Sequence, residues 1–385
     1  MFLEDMKWIS ILLSVVCLNS VANSATAREY RVYFGTYTGA KSKGIYVSKF
    51  DSATGELSEP ELAAETKSPS FLAVDSKNRF LYAVGEASQF AGKTSGTVNA
   101  FEVDSKTGKL SLLNQQPSGG AGPCHVALDS KGRCLLVANY GGGSVASLPV
   151  NSDGSLGVPG SVIQHVGSSV DPKRQTGPHG HFITTDPADR FALACDLGLD
   201  KVLIYRLDTK RATLTASDPP FGSVAPGAGP RHLAFSPNGK FIYVINEMGS
   251  TLTTFSWDKL KLTMTELQTV STLPKDFSGN NTTAEVQVHP SGKFVYGSNR
   301  GHDSIAVFAV DKKSGKLTLV EHESTQGKTP RHFAIDPTGR WLLAENQGSD
   351  SVVVFGIDAK SGALTARGQR ISVGSPVCAV FVPVR

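Results

Sequence analysis

The stretch "GPRHLAFSPNGKFIYVINEMGS" (residues 229–250) sets a guanidinium, Arg231, just before one apolar run and a carboxylate, Glu247, just after the next. A β-hairpin through the "PNGK" turn would bring both groups to the same open end. His181, in "GPHGHF" with His179 two residues earlier, fills the slot of Arg231 in an earlier copy of this pattern, and Arg300 fills the slot of Glu247 in a later one. Imidazole and carboxylate groups can pass protons during a reaction, and arginines hold anions. An enzyme built on these residues works with histidine, carboxylate and arginine, with no covalent or metal intermediate. The sequence has no GxSxG elbow and neither HxH…Glu nor HExxH metal spacing, so no metal and no cofactor is expected.

The elements that must position these groups recur. Relatives of "FIYVINE" are "RVYFGTY", "FLYAVGE", "CLLVANY", "FALACDL", "FVYGSNR" and "WLLAENQ". Each is followed by a third alternating stretch, such as "GIYVSKFD" or "SIAVFAVD", and in most copies by a turn ("TGKL", "SGAL") into a weaker fourth. A first strand, such as "HFITTDP" or "HFAIDPTG", precedes every copy except the one near residue 31, while "CAVFVPV" (residue 378 onward) stands alone at the C-terminus. Four strands per unit and seven units predict an all-β, seven-bladed β-propeller of four-stranded blades, its ring closed by the C-terminal strand. Closure removes the sheet edges of an open array.

In such a fold the residue before each first strand meets the residue after each second strand at one rim of the channel. The first set is Ser70, Cys124, His181, Arg231, Ala284, Arg331 and Val377; the second is Tyr37, Glu86, Tyr140, Leu197, Glu247, Arg300 and Gln347. They vary far more than the repeat around them, which marks this mouth as the candidate site. Glu247 and His181 are the candidate catalytic groups; Arg231, Arg300, Arg331 and His179 are the candidate substrate-binding groups. Each has a structural reading beside it. An exposed Arg231–Glu247 pair would be a salt bridge worth about 0–1 kcal/mol, and Arg300 a solvated charge. His125, His232 and His332, which recur inside the first strands, read as inter-blade hydrogen-bonding residues, and Asp104, Asp208, Asp311 and Asp358 as turn residues. "NNTT" (280–283) matches a glycosylation acceptor twice, and a polar loop explains it equally.

The 385 residues carry a formal charge of only +4 and no Lys/Arg block, so nucleic acid and anionic membrane surfaces are not expected partners. The N-terminus differs from the body. An apolar run at residues 8–21, preceded by Lys7 and followed by Ala25 and Ala27 in small-x-small spacing, reads as a signal peptide over residues 1–27, leaving residues 28–385 as the propeller. The protein is therefore expected to be exported, periplasmic or secreted, with no membrane attachment after cleavage, and monomeric. Cys124, Cys134, Cys195 and Cys378 remain; they form no CxxC pattern, and Cys124 and Cys134 fall near opposite ends of one hairpin, so free thiols are expected.

The blade motifs "GPRHLAFSPNGKFIYVINE", "HFITTDPADRFALACD", "VHPSGKFVYGSNR" and "TPRHFAIDPTGRWLL" resemble the seven-bladed propeller lactonase family, typified by cycloisomerase-type 6-phosphogluconolactonase and by the fungal carboxy-cis,cis-muconate lactonising enzyme. The resemblance covers nearly all of residues 30–385. It implies hydrolysis of a sugar-type lactone to the open-chain aldonic acid, with a small anionic lactone as substrate. A muconate-type lactonising activity and a non-catalytic ligand-binding propeller are the alternatives. By resemblance the family's histidine falls on His181, its glutamate on Glu247 and its two substrate-binding arginines on Arg231 and Arg300; either His181 or Glu247 can be the base. An exported chain would not meet 6-phosphogluconolactone made in the cytoplasmic pentose phosphate route, so either residues 1–27 are not a signal and the protein is cytoplasmic, or the substrate is a different sugar or acid lactone. If residues 1–27 are a leader, intact-mass analysis of exported protein should give a chain starting near Arg28; retention of Met1 or Phe2 would rule cleavage out.

Overall fold

The computed structural model describes residues 29–384, so the expected leader lies outside the described residues. Seven four-stranded antiparallel sheets form the blades. Six follow chain order from inner to outer strand; blade 1 has its inner strand from the far end of the chain, Pro376–Pro383, then Glu29–Thr36, Gly44–Asp51 and Glu61–Glu65. Tyr30 pairs with Pro383, Val32 with Phe381 and Phe34 with Ala379, closing the ring as the unpartnered C-terminal motif predicts. The inner strands touch one another in sequence round the axis, including the last, Pro330–Ile335, against Pro376–Pro383. Among the described residues the helical content is a single 3-10 turn, Gln347–Ser349, and no helix is long and apolar enough to cross a membrane.

Strand alternation decides where the core lies. Each second strand is buried on both sides, as in Phe241–Asn246 and Trp341–Asn346, because both faces of every blade pack against a neighbour. The hydrophobic core is accordingly divided into seven clusters, each between adjacent blades. Polar ties lock these contacts. The hydroxyls of Tyr33, Tyr82, Tyr243 and Tyr296 donate to the carbonyls of Gly108, Gly154, Gly315 and Gly362 in the next blade. At the closing interface the Trp341 indole donates instead to Ser52 O at 2.9 Å.

The hairpin turns at the face opposite the candidate site repeat one device. A carboxylate oxygen of Asp186 or Asp336 accepts two successive backbone N–H groups that open the next strand, at 2.7 and 2.9 Å and at 2.8 and 2.8 Å. A left-handed residue completes the turn, for which Gly239 and Gly339 (φ 66° and 71°) suit the geometry. Asp104, Asp208, Asp311 and Asp358 likewise accept backbone N–H groups two and three residues on, which makes them turn residues. Shallow grooves between adjacent blades recur on this face and follow from the repeat.

All four cysteines among the described residues are free and buried. Asn281, within the "NNTT" loop, turns its amide to Ser250 Oγ and Asn299 Oδ1.

Deleting residues 376–385 removes the inner strand of blade 1 and with it buried Val377, Cys378, Ala379 and Val382. The loss should be on the order of 5 kcal/mol from apolar burial alone, lowering Tm by roughly 5–10 °C. Thermal unfolding at the parent's Tm would be incompatible with closure.

Candidate active site

The rim residues owe their direction to a defect in the ladder. Cys124, His181, Arg231 and Arg331 each sit where the register of the first hairpin slips by one residue, between Pro123 and His125, Gly180 and Phe182, Pro230 and His232, and Pro330 and His332. Val377 occupies the same slip between Pro376 and Cys378 in blade 1. A β-bulge re-aims one side chain without disturbing the alternation beyond it. Here it aims that side chain into the mouth while the next residue returns to the axis.

The returning residues form the floor. Phe71, His125, Phe182 and His232 pack ring against ring, with centroids 4.2, 4.1 and 4.9 Å apart in sequence, and Phe71 also meets His332 at 5.7 Å. Glu285 occupies the equivalent place in blade 6. It accepts from His232 Nδ1 at 2.9 Å and lies 3.7 Å from His332 Nε2, while His332 Nδ1 pairs with Glu345 at 2.8 Å. Burial pushes the Glu285 carboxyl up to about 7. The expected structural role of the recurring histidines is what the geometry supplies: His232 and His332 tie blades together through Glu285, and Ile183 N–H reaches His125 from the neighbouring blade at 3.5 Å.

Above this floor the structure brings Glu247, Arg231, Arg300 and His181 together. Glu247 Oε2 lies 3.2 Å from Arg231 Nε and 2.9 Å from Arg300 Nη2. Arg231 Nη1 approaches the His181 ring, 3.0 Å from Nε2 and 3.3 Å from Nδ1. Arg231 is 2% exposed, His181 4% and Glu247 6%, so this is not a solvated surface pair. Burial would raise the Glu247 pKa, but Arg300, Arg231, His181 and a hydrogen bond from Arg174 hold it well below the usual carboxylate range. Burial, then Arg231, pushes the His181 pKa down, leaving a neutral imidazole at neutral pH. Two buried nitrogens, Arg231 Nε and Arg300 Nε, lack a well-directed acceptor. Buried donors left without a partner are rare in folded proteins, and a bound ligand or water is one way to satisfy them.

Local structure fixes these positions. Asn246 and Asn299, buried directly before Glu247 and Arg300, turn their amides to neighbouring hydroxyls and, for Asn299, to Thr272 O. Glu247 N–H donates to Gly229 O at 2.7 Å, and Arg300 Nη2 donates to Thr283 O at 2.8 Å.

Arg331 stands apart from the Glu247 group, with its guanidinium over the Tyr37 ring at 5.5 Å. Together with Ser70, Cys124, His181 and Arg231, these two residues wall a tight recess of about 10 Å³ over the aromatic floor, room for about one water molecule. Ser70 Oγ donates to Glu86, and burial together with Glu86 pushes the Tyr37 phenol up to about 12. Burial pushes the Cys124 thiol up to about 12 as well, so it is not a thiolate nucleophile. His179 lies further out. Its ring stacks on Tyr140 at 4.6 Å, and its backbone N–H is held by Asp196, which His165 and Tyr205 brace in a buried chain.

One participant escapes the repeat alignment. Arg174 reaches in from the long connection 165–179 and donates from Nη2 to Glu247 Oε1 at 2.8 Å and to the Tyr140 hydroxyl at 3.1 Å. The length of that connection beside its counterpart 118–122 is the signal that could have found it.

A buried, ionised carboxylate among guanidinium groups beside a neutral imidazole gives the mouth of this seven-bladed ring a polar, largely cationic candidate site. The model of the "Lactonase, 7-bladed beta-propeller" family matches residues 31–381, and the chain belongs to that family. It is 40% identical over 354 residues to the 6-phosphogluconolactonase of Bacillus subtilis, covering 92% of this chain and 99% of that one. A 6-phosphogluconolactonase of Formosa agariphila is 32% identical over 312 residues, covering 79% and 85%. The solved periplasmic gluconolactonase of Pseudomonas aeruginosa superposes with a TM-score of 0.86 at 38% identity, covering 93% of this chain and 100% of that one.

Replacing His332 by alanine strands Glu345 and Glu285 as buried carboxylates with a partner missing. Urea unfolding should show a loss of about 3–5 kcal/mol; an unchanged midpoint would show that the floor does not depend on this pairing.

Proposed function

We propose that the protein hydrolyses a small, anionic sugar-type lactone to its open-chain acid, in the manner of the 6-phosphogluconolactonase relatives. The observation that carries this reading is the buried Glu247, held ionised between Arg231 and Arg300 beside His181. Four arginines (174, 231, 300 and 331) face two carboxylates, Glu247 and Glu86, across the mouth, an excess of positive charge that an anionic ligand balances.

Water attacks the lactone carbonyl carbon while Glu247 accepts its proton. Arg231 and Arg300 stabilise the oxyanion as it forms. Collapse breaks the bond from the carbonyl carbon to the ring oxygen, and that oxygen takes the proton back from Glu247, leaving a hydroxy acid. Glu247 suits the base role better than His181, because the imidazole nitrogens already face the Arg231 guanidinium. A carboxylate crowded by cations is a weak base, and a bound anion that offsets those cations raises its basicity. His181 holds Arg231 in place and offers a neutral imidazole to the substrate. Arg331, beside Tyr37 and Ser70, adds its charge to substrate binding from the inner wall of the mouth, and His179 borders the outer side. The expected leader and the periplasmic relative support action outside the cytoplasm.

Glu247→Gln keeps the shape and removes the exchangeable proton, so kcat on a sugar lactone should fall about 10²-fold or more with KM little changed. Turnover at the parent's rate would reduce Glu247 to an ion-pair partner. The pH profile gives a second check. Glu247 must be ionised to act, and its pKa in the free enzyme is lowered, so kcat/KM should hold as pH falls through the ordinary carboxylate range and be lost only below it. An acid limb near neutrality would transfer the base role to another group.

A further inference from the structure

Arg174 differs from the other arginines at the mouth in three respects. Its side chain is 40% exposed, against 3% for Arg231 and 11% for Arg300. It makes both of its contacts, to Glu247 and Tyr140, through the single nitrogen Nη2, so Nε and Nη1 have no hydrogen-bond partner among the described residues. It also comes from a connection outside the repeat rather than from a blade strand.

That connection is firmly fastened. Asp171 Oδ1 accepts the N–H groups of Lys173 and Arg174, both at 2.8 Å. Gln175, fully buried, donates from its side chain to Leu197 O at 2.9 Å and accepts from Asp171 N–H at 3.0 Å. The backbone is thus pinned on both sides of Arg174, and only the long side chain is left to move. At rest, Glu247 takes charge from Arg174 on Oε1 and from Arg231 and Arg300 on Oε2. Of the three, only Arg174 can leave without abandoning a buried charge.

Resting on the lactonase reading, we infer that Arg174 is a specificity-determining residue: it binds an anionic group, phosphate or carboxylate, carried by the lactone at the end away from the reacting carbonyl. The planar fork of a guanidinium matches either group in bidentate fashion. Arg174 would exchange its pair with Glu247 for one with the substrate, so selection of an acidic lactone and release of Glu247 towards its base role become one event. A neutral lactone offers nothing to draw Arg174 away.

The test compares three lactones in the parent and in Arg174→Ala: neutral glucono-1,5-lactone, its 6-phosphate, and a glucaric acid lactone bearing a terminal carboxylate. The ratio of kcat/KM for an acidic lactone to that for the neutral one should fall about ten- to a hundredfold, mainly through KM. The arm that falls identifies phosphate or carboxylate as the group read. Arg174→Lys keeps the charge without the fork, should fall by less, and carries the same comparison if the alanine variant is not recovered. An unchanged ratio in both acidic arms overturns the inference, as does an equal loss on all three lactones, which is the mark of a structural role. A parent that opens only the neutral lactone also overturns it while leaving lactone hydrolysis standing. A parent that opens none of the three removes the lactonase reading and this inference together.

Discussion

Everything in this molecule depends on one pairing between the two ends of the chain. Blade 1 has no inner strand of its own, and Pro376–Pro383 supplies it beside Glu29–Thr36. Without that pairing the apolar faces of blades 1 and 7 lose their mutual cover, Trp341 loses Ser52, and two sheet edges open to solvent. Because each core cluster lies between blades rather than within one, no blade is stable by itself. The ring fixes the inner strands around the axis, and the axis fixes the mouth.

Charge in the mouth is arranged on that frame in a graded way. The floor holds imidazoles and carboxylates paired among themselves, the next level holds Glu247 between Arg231 and Arg300, and the outermost holds Arg174. Burial works against each charged group, and each is kept by a partner of opposite sign. A mouth made this way holds its buried charged groups in fixed positions, with the more exposed Arg174 the exception.

Most of the fold was legible in the sequence because a propeller repeats its signals. The apolar runs, the "PNGK"-type turns and the solitary "CAVFVPV" define the strand count and the closure. The convergence of Arg231, Glu247, His181 and Arg300 was legible for the same reason, since hairpin geometry brings the strand ends together. Arg174 was not, because a connection has no period to align. Nor was the pairing of His232 and His332 through Glu285, because alignment shows that residues share a level but not how their rings turn. The bulge was hidden for a different reason: one extra residue in a short strand leaves the alternating pattern readable on either side.

That bulge separates two demands that strand alternation normally couples. In a regular ladder, a change at one position must suit the sheet face it occupies. At the slipped position the side chain is freed from the alternation of the strand, while the core partners on both sides keep their register. The slipped blades therefore offer an address that alternation does not assign to one sheet face or the other. In this chain the addresses hold imidazole, guanidinium and thiol groups in some blades, but Ala284 and Val377 in blades 6 and 1. Those two apolar addresses are buried, so the charge carried at the slipped positions is gathered on the blades between them and on their far side rather than spread evenly round the ring.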